Sequence, residues 1–494
     1  MEKRKSGILL HITSLPGSDG IGTLGKESFN FVDFLHDTGQ KLWQILPLGP
    51  AGAGNSPYQC YSAFAGNPLM IDTELLIEDG LLEEAAINDR PVFQKRKVKF
   101  EKVADWKYSV LQKSFRIFRV HAVHRFQDEY WKFLDEHAWW LNDYAMFMAA
   151  RNHFEGLEWG KWEEPVKFRK ADAMDILRDE LSDEIEFQKY LQFVFFRQWH
   201  RLKAYANQNS VDIVGDVPLY VSGDSADVWA NTDIFKLDDQ LKPIEVGGVP
   251  PDYFSATGQL WGNPVFDWER LRKRDYDWWV ARLHFNLRMY NCVRIDHFRG
   301  LESFWSIPAK EATAMNGLWL PAHGHALLQI LKDHLGDLPF IAEDLGTITS
   351  EVDKMRDDYD LPGMKVLQFA FSTDAANKDL PHNYEKNFVV YTGTHDNDTT
   401  LGWLKSAKPD EKAMLRKYVD RPIEDQLRKL VEMAFASVAN IAVVPMQDIL
   451  ELDTKSRMNT PGTSEGNWEW RFQWKQLKQG QKKFLKELTS KYNR

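Results

Sequence analysis

The sequence predicts an α/β protein built as a (β/α)8 TIM barrel with long helical and loop insertions. Three observations carry this. Eight short β-like runs recur along the chain, helical patterns lie between them, and several runs end in acidic residues. The runs cover 7–15, 42–48, 212–221, 291–298, 338–346, 363–371, 387–396 and 441–450. Most are dense in Val, Ile, Leu and Phe and do not alternate strictly, as parallel strands covered on both faces do. Helical periodicity appears at 29–38 after the first run, 326–334 before the fifth, 351–359 after it, and 425–439 before the eighth. An open doubly wound sheet fits less well, because no glycine-rich phosphate loop follows any strand.

The first strand follows Lys3, Arg4 and Lys5, a basic start that resembles a secretion signal for only a few residues. His11, Thr13 and Pro16 break the apolar stretch well short of a signal's hydrophobic region. With no run of ~20 apolar residues either, a cytoplasmic location away from membranes is expected. The formal net charge of −10 and the lack of any Lys/Arg-rich run argue against nucleic acid as a partner. Cys60 and Cys292 stand in neither a CxxC pair nor a zinc spacing, so two buried free thiols are expected. Neither a metal nor a cofactor is implied. The 19 Trp, 16 Tyr and 30 Phe mainly serve a core, although flat aromatic faces also suit the apolar faces of sugar rings.

Between the second and third strands lies a helix-rich stretch, 72–209, too long for one connecting helix. It is expected to form a helical insertion of a single 1–494 catalytic barrel. A second insertion, 222–290, is loop-rich and holds Asp252-Tyr253-Phe254 and the run from Gly258 to Trp261, Gly262, Asn263 and Pro264. Loops that follow barrel strands lie on the catalytic face, so both insertions are expected to wall the active site.

The later strands supply the acids. Asp216 ends the third, Arg294 and Asp296 the fourth, Glu343 and Asp344 the fifth, and His395, Asp396 and Asp398 the seventh. A lone acid at a strand end is usually a helix cap or a solvated loop residue. Four acid-bearing ends aimed at one mouth argue instead for an active site. Residues two apart in a strand share a face, so Arg294 and Asp296 should point together. A guanidinium beside a carboxylate favours the ionised form, which a nucleophile requires. A general acid needs a carboxyl kept protonated by partial desolvation or by a neighbouring negative charge. Glu343 or Asp344, behind the apolar Phe340-Ile341-Ala342, could fill that role. Periodicity does not choose between them, nor between Asp396 and Asp398.

At these residues the sequence resembles a known family. Val293-Arg294-Ile295-Asp296-His297, Ile341-Ala342-Glu343-Asp344-Leu345-Gly346 and Gly393-Thr394-His395-Asp396-Asn397-Asp398 look like the three catalytic segments of the amylomaltases. These are 4-α-glucanotransferases related to the α-amylase clan. The resemblance starts in the first strand with Gly7, His11 and Pro16, passes through Gly54-Asn55-Ser56-Pro57-Tyr58, and ends at Arg457-Met458-Asn459-Thr460-Pro461-Gly462. It implies Asp296 as nucleophile, Glu343 as acid/base and Asp396 as transition-state stabiliser, with Asp344 and Asp398 in support. It further implies that Arg294 and His395 touch the donor sugar and that Asp216 and Tyr58 complete the subsite nearest the cleaved bond. Trp261, Tyr253 and Asn459 are carried over as contacts to the glucan or as loop-closing residues. As in that family, no room is expected for a C-terminal β-sandwich.

The implied reaction is retaining double displacement on α-1,4-glucans and maltooligosaccharides. Only the resemblance favours transfer to a sugar hydroxyl over hydrolysis by water, so a retaining α-glucan hydrolase is the nearest rival. A remoter one is a metal-dependent barrel hydrolase using His11, Glu343, His395 and Asp396 as ligands.

Overall fold

The computed structural model describes residues 4–251, 255–372 and 377–494, apart from the side chain of Glu424. Eight strands form one sheet: β1 (Lys5–Leu9), β2 (Leu42–Gln44), β3 (Asp212–Val217), β4 (Cys292–Ile295), β5 (Phe340–Ala342), β6 (Gly363–Val366), β7 (Phe388–Tyr391) and β8 (Ile441–Pro445). Their spatial order is β6-β7-β8-β1-β2-β3-β4-β5, with every paired neighbour parallel. The remaining gap between β5 and β6 is bridged rather than laddered. The Ala342 amide donates to the Pro362 carbonyl at 2.9 Å, and the Met364 amide donates to the Asp344 carboxylate at 2.7 Å. The sheet thereby curls into the predicted (β/α)8 barrel, whose active sites lie at the C-terminal ends of the strands.

The strands are shorter than the apolar runs that announce them. The first run extends to residue 15, yet β1 ends at Leu9. Leu10, Ile12 and Leu15 beyond it remain buried, where the 471–472 segment packs on them: Arg471 donates to the Leu15 carbonyl at 3.2 Å and the Phe472 amide to the Ser14 carbonyl at 3.0 Å. Apolar composition persists past the last ladder hydrogen bond, so composition overstates strand length. Helix Lys26–Asp37 buries Phe31, Val32, Phe34 and Leu35 on one face. Phe31 meets Trp43 of β2 at 4.9 Å between ring centroids, and the Trp43 indole N–H donates to the Leu10 carbonyl at 2.8 Å. Gly215 in β3 has no room for a side chain, since a Cβ there would lie 2.1 Å from the Tyr290 ring.

Between β2 and β3 lie helices Phe100–Ile117, Gln127–His153 and Ser182–Gln208, besides shorter ones. The last two run 27 residues each, about 40 Å of helix. They pack through Phe133, Trp140, Phe193 and Phe196. Most of the aromatic content is used in this way. Trp106, Trp140, Trp159 and Trp162 are buried, whereas Trp131 and Trp139 stay exposed.

A second, antiparallel sheet sits over the mouth. In spatial order its strands are Gln259–Pro264, Glu245–Val249, Ser303–Pro308 and Leu318–Pro321. Two strands come from the 222–290 stretch and two follow β4, so this sheet reaches beyond the boundary drawn from sequence. Its strands are short, and the second pair lies in what reads as an ordinary βα connection. Cys60 and Cys292 are unpaired, and both are half-buried where full burial was expected. Among the described residues no helix is long and apolar enough to cross a membrane.

Candidate active site

The site is organised around Arg294. Register places it beside Asp216 of β3, and its side chain is buried. One terminal nitrogen, Nη1, donates to both Asp216 oxygens at 2.9 and 2.8 Å. The other, Nη2, lies 2.9 Å from Asp296 Oδ1. Residues 294 and 296 thus share a face, as strand alternation requires. Leaving a guanidinium unpaired in such a place would cost several kcal/mol; two carboxylates remove that cost and aim the group. Burial pushes the Asp216 carboxyl up, opposed by Arg294 and by the Tyr58 hydroxyl, which donates to Asp216 Oδ2 at 2.8 Å.

Glu343 follows β5 directly. Its carboxylate accepts the His297 amide at 2.7 Å and the Leu345 amide at 3.1 Å. His297 can aim its amide there because its backbone is left-handed, with φ 54°. Burial pushes the Glu343 carboxyl up to about 8, and the charge of Asp296 adds to this. Arg294 and the two amides oppose the rise without cancelling it. The result is a carboxyl that holds its proton near neutrality yet has donors ready for its ionised form.

Asp344 points elsewhere. Arg356 Nη1 lies 2.5 Å from its Oδ2, and its other oxygen takes the Met364 amide in the barrel closure. Glu343 therefore faces the mouth and Asp344 the β5–β6 seam. Asp396 and Asp398 divide similarly. Asp396 Oδ1 accepts from Asn459 Nδ2 at 2.6 Å and lies 3.4 Å from His395 Nε2. Asp398 instead accepts from the Thr454 hydroxyl at 2.7 Å.

His395 is buried and stacks on Tyr58, with ring centroids 5.2 Å apart and planes 13° from parallel. Burial holds its pKa down, as does Arg294, against the pull of Asp396. Trp261 lies edge-on to His297 at 4.9 Å, at the border of the mouth. Tyr253 lies outside the described residues. His11 is buried behind His395, and burial lowers its pKa to about 3. Among the described residues no group of three or more His, Cys, Asp or Glu is gathered to hold a metal ion.

Arg457 and Trp468 also belong to this constellation, without having been singled out by spacing. Arg457 donates to the backbone carbonyls of Asp396 and Asn459, both at 2.6 Å. Trp468 packs against Tyr58 and His395 at 5.9 and 6.0 Å. Both lie far along the chain from the strands that carry the acids, where no periodicity links them to the mouth.

Against known proteins, the family model described as 4-alpha-glucanotransferase matches residues 10–477. The chain belongs to that family. Over its full length it is 47% identical to a 4-alpha-glucanotransferase of Synechocystis, covering 99% of that protein. It is 46% identical to a 4-alpha-glucanotransferase of Thermus thermophilus, across 95% of this chain and 94% of the relative. Among solved structures, an amylomaltase from Streptococcus agalactiae in complex with acarbose superposes with a TM-score of 0.95 at 40% identity, covering both chains fully. The amylomaltase resemblance read from the catalytic segments is thus established over the whole barrel.

Proposed function

We propose that this chain is a 4-α-glucanotransferase in which Asp296, Glu343 and Asp396 move segments of α-1,4-glucan by retaining double displacement. One observation carries the assignment of roles. Within one small network, Arg294 is fixed against Asp296 while burial keeps the proton on Glu343. A carboxyl that keeps its proton near a second one ion-paired to a guanidinium is the arrangement that a retaining glycosidase mechanism uses.

Glu343 protonates the glycosidic oxygen as Asp296 attacks the anomeric carbon, so the C–O bond to the leaving glucan breaks as the bond to Asp296 forms. Asp396, oriented by Asn459 and His395, takes hydrogen bonds from sugar hydroxyls as the ring flattens towards an oxocarbenium ion. Glu343, now ionised, removes the proton of an incoming 4-hydroxyl. That oxygen displaces Asp296, and Glu343 is protonated again. His395, Arg294, Asp216 and Tyr58 bind the sugar next to the cleaved bond, and Trp261 offers a flat face to the chain. The accessory sheet over the mouth limits the entry of water, which favours a sugar acceptor. The two unpaired thiols fit a reducing cytoplasm.

Incubation with maltotriose tests this reading. Glucose together with maltopentaose and longer products is expected. Glucose and maltose alone would refute transfer and leave a hydrolase of the same mechanism.

A further inference from the structure

Trp468 holds a backbone conformation that bulky side chains rarely adopt, with φ 65°. It follows a turn closed on itself, in which the Thr460 amide donates to the Asn467 side chain at 2.9 Å and Asn467 Nδ2 donates to the Thr463 carbonyl at 2.9 Å. Gly462 and Gly466 supply the other left-handed positions of that turn. The Trp468 amide then donates to the Met458 carbonyl at 2.8 Å, which directs the indole back beneath the strap 457–459. Strain of this kind persists only where the surroundings over-determine it, and it gathers at functional sites.

The indole is only 5% exposed, so it does not touch a substrate. Its neighbours do. Tyr58 continues through its hydroxyl to Asp216 at 2.8 Å, from Asp216 to Arg294 at 2.8 Å, and from Arg294 to Asp296 at 2.9 Å. His395 continues to Asp396 at 3.4 Å. One ring thus supports both sides of the site. We infer that Trp468 is a positioning residue, which fixes Tyr58 and His395 and, through the Tyr58–Asp216–Arg294 relay, the aim of Asp296. The inference rests on the proposed roles of Asp296 and Asp396.

The test is a double-mutant cycle. Trp468→Gly removes the ring while keeping the left-handed backbone at no steric cost; Trp468→Phe restores an aromatic ring; Tyr58→Phe cuts the relay at the hydroxyl. Melting temperatures and the kcat and KM of maltotriose disproportionation are measured for each and for the Trp468→Gly/Tyr58→Phe double variant. A misaimed nucleophile lowers kcat on the order of 10- to 100-fold, with KM changed less than about threefold. Phe should recover most of that loss. In the Tyr58→Phe background, Trp468→Gly should cost less than it does in the parent, because the Tyr58 branch is already cut and only the His395 branch remains to lose. Full kcat in folded Trp468→Gly overturns the inference, as do losses that multiply, or full kcat in Tyr58→Phe. If Trp468→Gly fails to fold, Trp468→Leu takes its place with the same expectations and the same refutation. The parent's own product pattern in this assay tests the transferase reading separately.

Discussion

Replacing Glu343 by Gln should alter the pH dependence of stability in a direction and amount that follow from the site. In the folded protein burial raises this carboxyl from 4.5 to about 8. Below pH 4.5 both the folded and unfolded states carry the proton, so this contribution to stability is fully present. Between pH 4.5 and 8 the unfolded chain has released a proton that the fold retains. Stability then falls as pH rises, by about 1.4 kcal/mol per pH unit, and reaches a plateau once pH passes 8. The whole interval is worth at most about 5 kcal/mol. For a chain of 494 residues, unfolding entropy near the melting point is about 1 kcal/mol per degree, which converts that loss to about 5 °C. Glutamine has nearly the same volume, and its carbonyl still accepts one of the two amides, so it removes the titration with little other change. Melting curves of parent and Glu343→Gln, taken from pH 5 to 8.5, should lie close together at the acid end. They should then separate, with the variant melting up to about 5 °C higher at pH 8.5. Parallel curves across that range would show that Glu343 does not carry a buried proton, and the assignment of the general acid would fall with it.

Two further outcomes are expected. Asp296→Asn should lower transfer by on the order of 10⁵-fold or more while glucan binding remains measurable by calorimetry; undiminished transfer would sink the nucleophile assignment. Arg494→Ala tests the floor of the barrel, where this buried side chain donates to the carbonyls of Phe435, Lys5, Asn440, Ala434, Ser437 and Ala439 at 2.7–3.4 Å. Arg4, Ser437 and the Lys5 amide still serve four of these carbonyls, so the loss is that of the buried guanidinium's packing and hydrogen bonds, about 3 kcal/mol, or about 3 °C of melting temperature by the same conversion, with kcat at 25 °C unchanged; a melting temperature within 1 °C of the parent's would refute the contribution.

The barrel was legible because each strand must bury both faces, and a continuous apolar run records that directly. Asp216, Arg294 and Asp296 were legible as candidates because a barrel fixes where its strand ends meet, whereas Glu343 and Asp396 were picked from their pairs with Asp344 and Asp398 only by the family resemblance. Periodicity alone stopped at Glu343 against Asp344. The structure gives the physical difference: Asp344 has Arg356 and the Met364 amide as partners, and both come from later segments whose approach depends on the barrel closing. The accessory sheet was not legible: Glu245–Val249 and Gln259–Pro264 lie in a stretch read as loop, and Ser303–Pro308 and Leu318–Pro321 follow β4 and pair across residues 309–317 with no marked signal.

What stayed hidden has a common origin. His297 and Trp468 both adopt left-handed backbone, and neither residue type advertises this as glycine does. His297 turns its amide onto Glu343; Trp468 turns its ring beneath Tyr58 and His395. In each case a locally unfavourable conformation is held by tertiary contacts and supports a neighbour in the proposed site. Local propensity reports what a residue prefers by itself, so it is silent, or wrong in sign, where the fold overrides that preference. Strand ends therefore locate the acids of this barrel, while the groups that aim them emerge only once the chain has closed around them.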